Sequence, residues 1–60
     1  MSRVLVLLAA GFEEIEAVTT VDLLRRAGIE TRTAALGPRD VTGSHGITVT
    51  ADLDLDSVDP

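Results

Sequence analysis

Sixty residues is short for a free-standing domain, because a chain this size buries only about 60% of its unfolded surface. The absence of cysteine excludes a disulfide staple and a thiolate metal site, while an apolar content of 45% excludes the composition of a disordered chain. A net charge of −5, five arginines without lysine, and a single aromatic ring exclude the basic patch and stacking platform of a nucleic-acid binder, and attraction to an anionic membrane as well.

The first predicted element is a strand over residues 4–9. The run Val4-Leu5-Val6-Leu7-Leu8-Ala9-Ala10 is continuously apolar, as a parallel strand covered on both faces requires, and Gly11 bounds it. It is too short to span a bilayer, and Glu13 and Glu14 stand where a signal-peptide cleavage site wants small residues. Cytoplasmic residence is therefore the expectation. Residues 13–27 read as a helix, with Glu13, Glu14 and Glu16 in its first turn and Arg25 and Arg26 in its last, matching both ends of the macrodipole. Gly28 stands at the left-handed position that ends it. A second strand follows over residues 30–36, with charges at its start that suggest a more exposed place than the first, and Gly37-Pro38 closes it. Residues 38–46 read as a loop. Ile47-Thr48-Val49-Thr50-Ala51 alternates as a third, half-buried strand does. Leu53 and Leu55 continue a two-residue spacing into a turn at Ser57. Strand, helix and strand make a βαβ unit, so the class is α/β with a mainly parallel sheet and one extra strand. Asp54, Asp56, Ser57, Val58, Asp59 and Pro60 form no finished element, so the natural product is expected to continue past Pro60. The alternative is a miniprotein stabilised by oligomerisation.

Glu16 is the residue whose position asks for a chemical explanation. At about 100° per residue Ala17, Val21, Leu24, Thr20, Ala27 and Leu23 fall in one broad apolar arc, and Glu16 shares its angle with Thr20, Leu23 and Ala27, which places a carboxylate on the expected core-facing stripe. Glu is almost never fully buried unless paired, burial raises its pKa, and helix N-terminal amides lower it. A carboxyl under such opposed influences at the C-terminal edge of a parallel strand is a candidate site, because ligands of open α/β sheets bind there. The bland alternative is that Glu16 rotates outward near the helix end and is solvated. Glu13 points roughly inward or caps exposed amides; Glu14 points outward as a dipole partner only. Gly11 suits a tight strand-to-helix turn. The turn lacks GxGxxG and the P-loop Lys-Ser/Thr, so it holds no nucleotide. His45, the only histidine, reads as a surface residue, since Ser44 beside it on the chain is poorly placed to meet it. Asp22, Arg25, Arg26 and Asp52 read as solvated or interface charges. No cofactor and no metal is implied.

Three segments carry a resemblance. Ala10-Gly11-Phe12-Glu13-Glu14-Ile15-Glu16 after the apolar strand, then Val21-Asp22-Leu23-Leu24-Arg25-Arg26-Ala27-Gly28-Ile29, and then Gly43-Ser44-His45-Gly46-Ile47-Thr48-Val49 resemble, in order and spacing, the opening of the ThiJ/PfpI superfamily. The resemblance covers nearly the whole chain. It implies the N-terminal part of a single flavodoxin-like three-layer sandwich of the class I glutamine amidotransferase-like type. It implies a Cys nucleophile on a strand-to-helix elbow, supplied by polypeptide outside these 60 residues. By position Glu16 corresponds to the glutamate that contacts this Cys, Gly11 to the turn near the substrate pocket, and Glu13 is assigned to the same pocket. The implied activities are deglycase, glyoxalase and intracellular peptidase, on a small reactive carbonyl or a protein substrate. Members form homo-oligomers, dimers or hexamers, often with this helix at an interface. His45 falls where some relatives carry Arg near the dimer contact. Two other readings stand beside the enzyme: a redox-responsive chaperone of the same family, and a non-catalytic amidotransferase-like structural domain.

Overall fold

The computed structural model describes residues 3–57. Its elements are β1 (Arg3–Leu8), α1 (Glu14–Arg26), β2 (Glu30–Ala35), β3 (Asp40–Thr42), β4 (Thr48–Thr50), β5 (Leu53–Asp54) and a 3-10 turn, Leu55–Ser57. The reading of the 58–60 tail as unfinished falls outside the described residues; before it, the spacing of Leu53 and Leu55 does lead from a short strand into a turn.

β1, β2 and β5 form one parallel sheet in the order β1-β2-β5, and β3 and β4 form a separate antiparallel hairpin. β1 pairs with β2 along its whole length, from Arg3 opposite Glu30 to Leu8 opposite Ala35. β5 continues the ladder with Leu53 opposite Ala34 and Asp54 opposite Ala35. The expected relation of exposures is reversed. β2 is the central strand and buries Thr31, Thr33, Ala34 and Ala35, whereas β1 leaves Leu7 53% exposed. The charges at the start of β2 misled because they lie at the strand end, where Arg3 Nε pairs with Glu30 at 2.9 Å in solvent.

The helix ends where its charge pattern and Gly28 place the end. Gly28 has φ +81°, donates its N–H to Arg25 O, and Ile29 N–H reaches Leu24 O, which satisfies the last-turn carbonyls. α1 packs on β2 and β1. The core gathers Leu8, Ala35, Val41 and Ala51, with Val6, Phe12, Ala17 and Val49 packed around them. It therefore joins the sheet, the first turns of the helix and the hairpin.

The stretch 38–46, read as a loop, contains β3, and Ala51 N–H donates to Arg39 O beside it. Burial of Val41 against Leu8 and Ala51 accounts for this short strand. Two of the supposedly solvated charges are also structural. Asp52 extends the β2–β5 pairing with its side chain: Thr33 N–H donates to Oδ2 at 2.9 Å, and Asp52 N–H donates to Thr33 Oγ1 at 2.9 Å. Arg25 donates to the same Oδ2 at 3.0 Å and, through Nε, to Thr31 O at 3.1 Å. The Thr33 amide, with help from the Thr33 hydroxyl and Arg25 and against the effect of burial, holds the Asp52 carboxyl below its usual range. Arg26 and Asp22 make the exposed i,i+4 pair that their spacing suggests. Among the described residues no helix is long and apolar enough to cross a membrane.

Candidate functional site: a buried glutamate at the tip of β1

β1 ends at Leu8 and the chain turns through Gly11, whose φ of +85° suits a residue without Cβ. Gly11 N–H donates to Thr42 O at 2.8 Å and Ser44 N–H to Phe12 O at 2.8 Å. The β1–α1 turn and the β3–β4 turn are thus stitched together by backbone bonds. Glu13 then caps the helix, with its Oε1 accepting from Ile15 N–H at 3.3 Å, one of the two roles its sequence position allowed.

Of the three acidic residues, Glu14 is the buried one, at 6% exposure. Its Oε2 accepts the backbone N–H of His45 at 2.8 Å and of Ile47 at 3.2 Å. Its Oε1 lies 3.2 Å from His45 Nδ1 and 3.4 Å from the Ser44 hydroxyl, which donates to it. Gly43 leaves the space: a Cβ there would lie 2.5 Å from the Glu14 carboxyl carbon. The expectation that Glu14 points outward is therefore corrected. Glu14, Ala17, Val21 and Leu24 form the inner row, at i+3, i+7 and i+10, while Glu16, Thr20, Leu23 and Ala27 are all exposed. The expected arc holds for Ala17, Val21 and Leu24, but its other flank of Thr20, Leu23 and Ala27, and Glu16 with it, faces solvent, Leu23 at 60% exposure. Glu16 stands on the first turn of α1 in solvent, and its structured contact is through the backbone, where its carbonyl accepts from Thr20 Oγ1 at 2.6 Å.

His45 and Ser44, expected to miss each other, meet: Ser44 Oγ is 3.0 Å from Nδ1. This is not a Ser-His-acid relay. Both Ser44 and Glu14 engage the same ring nitrogen, whereas a relay needs the acid on one nitrogen and the nucleophile on the other.

Burial by itself would raise the Glu14 pKa. The N–H groups of Glu14 itself, Ile47 and His45, with the His45 ring, outweigh it and lower the carboxyl from 4.5 to about 2. A folded-state pKa below the unfolded value gives stability that is complete above pH 4.5 and disappears as pH falls toward about 2. In the full-length protein, urea midpoints of wild type and Glu14→Gln should therefore differ most above pH 4.5 and converge toward pH 2. A gap that persists undiminished at the acid end would contradict this assignment.

Oxygen and nitrogen atoms of Glu13, Glu14 and His45 lie within 4.8 Å of one another, close enough to hold one cation. Both Glu14 oxygens are already taken by N–H and O–H donors, so an ion would have to displace them. A cavity of about 330 Å3 runs along α1, lined by Leu8, Phe12, Val21, Arg25, Val49 and Asp52 among others. None of Glu13, Glu14, Glu16 or His45 lines it.

The arrangement defines an α/β protein whose polar cluster gathers beyond the C-terminal end of its first parallel strand, where such folds place ligands. The model of the DJ-1/PfpI family matches residues 2–60, and the chain belongs to that family. It is 40% identical over 58 residues to the deglycase TK1284 of Thermococcus kodakarensis and 38% identical to the deglycase PYRAB04690 of Pyrococcus abyssi. Each match covers 97% of this chain and 35% of the relative, so the chain spans about a third of their length. Among solved structures, a DJ-1 superfamily protein of Salmonella typhimurium superposes with a TM-score of 0.90 and 47% identity, over 93% of this chain and 31% of that one. DJ-1 of Toxoplasma gondii, in an oxidized form, superposes with a TM-score of 0.93 and 42% identity, over 97% and 32%. These neighbours carry the flavodoxin-like fold, of which β1, α1 and β2 are the opening unit.

Proposed function

We propose that residues 1–60 are the N-terminal part of a single DJ-1/PfpI domain and that the full-length protein is a Cys-dependent deglycase or glyoxalase-like hydrolase. The observation that carries this reading is the match to two proteins named deglycase across 97% of the chain. The substrate class is a small reactive carbonyl or its adduct on a protein. Glu16 is the acid-base partner of the thiol, because it occupies the first turn past β1 and, among the described residues, no donor occupies its carboxylate. A carboxylate there takes the thiol proton. The resulting thiolate is the reactive form, and it bonds to the aldehyde carbon while the carbonyl oxygen receives the proton back from Glu16. Gly11 and Glu13 border the same pocket at the strand tip. The protein acts in the cytoplasm as a homo-oligomer, a dimer or hexamer; the exposed Ile15 and Val18 on α1, the latter also lining the cavity, support an interface through this helix.

The test is turnover of methylglyoxal by the full-length protein before and after alkylation with iodoacetamide. Loss of turnover in step with thiol modification is expected; turnover that survives complete alkylation overturns the mechanism. A second reading is favoured by the oxidized state of the Toxoplasma gondii neighbour. In it, the same thiolate attacks a peroxide oxygen, the O–O bond breaks with release of water, Glu16 hydrogen-bonds the sulfenic acid formed, and the protein holds aggregating clients without turning over carbonyls.

A further inference from the structure

We propose that Glu14 and His45 form a carboxylate–imidazole dyad whose outward Nε2 accepts a proton from a bound carbonyl-derived ligand, a second acid-base centre beside the one assigned to Glu16. The inference rests on the deglycase reading for its ligand class, and on this chain's own geometry for everything else.

Glu14 is ionised down to about pH 2 and so can only accept hydrogen bonds. Its Oε1 is 3.2 Å from His45 Nδ1, so Nδ1 carries the hydrogen and Nε2 carries the lone pair. The Ser44 hydroxyl fits this assignment. It accepts from Nδ1 at 3.0 Å and gives its own hydrogen to Oε1 at 3.4 Å. Among the described residues Nε2 has no partner, and the His45 side chain is 73% exposed, so the acceptor faces outward. The ring is also anchored from below. His45 N–H is tied to Oε2 at 2.8 Å, and Gly43 N–H closes the turn on Ile47 O at 2.9 Å. Through the Ser44–Phe12 and Gly11–Thr42 bonds, this turn is fixed to the turn that follows β1, so the imidazole stands at the strand end where ligands of such sheets bind. Acid on Nδ1 and a free Nε2 is the orientation that general bases adopt.

In the step assigned to it, the Nε2 lone pair takes a proton from a ligand hydroxyl or from the carbon next to a carbonyl. The imidazolium that forms is balanced by the Glu14 carboxylate on Nδ1, and Nε2 returns the proton to the rearranged product. Glu14 is a positioning residue here; His45 is the group that meets ligand.

The experiment uses the full-length protein and two readouts. Nitrogen-15 correlation spectra of the imidazole should show the Nδ1–H tautomer in wild type. In Glu14→Gln the amide oxygen is held by the His45 and Ile47 N–H groups, so the amide nitrogen faces Nδ1 and the tautomer should switch to Nε2–H. His45→Gln should lower kcat on methylglyoxal about a hundredfold, the low end of general acid-base contributions, while KM stays within about twofold. A wild-type ring that is Nε2–H overturns the dyad without any variant having to fold. A folded His45→Gln protein with full turnover, where Glu16→Gln has lost it, overturns this inference and leaves the proposed function standing. A wild type that turns over no carbonyl sinks the proposed function and the proton transfer together.

Discussion

Glu16→Gln in the full-length protein is expected to lower turnover of methylglyoxal at least about tenfold without lowering the melting temperature. The two halves of this result come from different facts. Glu16 stands exposed on the first turn of α1, with no side-chain donor among the described residues, so its replacement by an isosteric amide removes no internal contact. Surface changes of that kind shift stability by about 0.5 kcal/mol or less. The catalytic half follows from chemistry: an amide cannot take a proton from a thiol, and positioned acid-base groups contribute about a hundredfold or more to rate. Measuring kcat and thermal melting on the same preparations separates the two. Unchanged turnover removes Glu16 from the mechanism, and a large loss of melting temperature shows that its exposed placement does not hold in the complete protein.

Gly43→Ala is expected to be the most damaging single methyl group in this region. The added Cβ would lie 2.5 Å from Glu14 Cδ, 2.6 Å from Oε2 and 2.8 Å from Cγ. That side chain has nowhere to retreat, since two backbone N–H groups, a hydroxyl and an imidazole hold its oxygens. Either the hairpin shifts off the β1–α1 turn, or the carboxylate swings out and strands the His45 and Ile47 N–H groups. Overpacking of this kind, or unmade bonds to buried donors, costs about 1–3 kcal/mol. Urea midpoints of the full-length variant measure it. Combining Gly43→Ala with Glu14→Ala should cost clearly less than the two changes summed, because the second removes the atoms that clash. Strict additivity would show that the methyl group is harmful for some other reason.

The regular elements were legible because local physics specifies them. The apolar run made β1, opposed charges and Gly28 bounded α1, and alternation made β4. β3 escaped because three residues, Asp-Val-Thr, carry no period, and only the burial of Val41 against Leu8 and Ala51 gives them a partner. The phase of the helix escaped for a related reason. Ala17, Val21 and Leu24 lie where the expected arc puts them, but Leu23 widened that arc toward Glu16, whereas the inner row extends the other way, to Glu14. What makes Glu14 tolerable inside is a set of amides supplied about thirty positions later by the hairpin, and no local window contains both. The same separation hid the meeting of His45 with Glu14. The motif spacing, by contrast, led to the family directly, since order and distance along the chain survive where side-chain direction does not.

Among the described residues β1 is paired along one edge only, and its far face shows Leu5 and Leu7 to water. A strand with a row of unanswered amides and an oily flank is a template on which a further strand can dock. Left uncovered, such an edge invites self-association or capture by a holding chaperone.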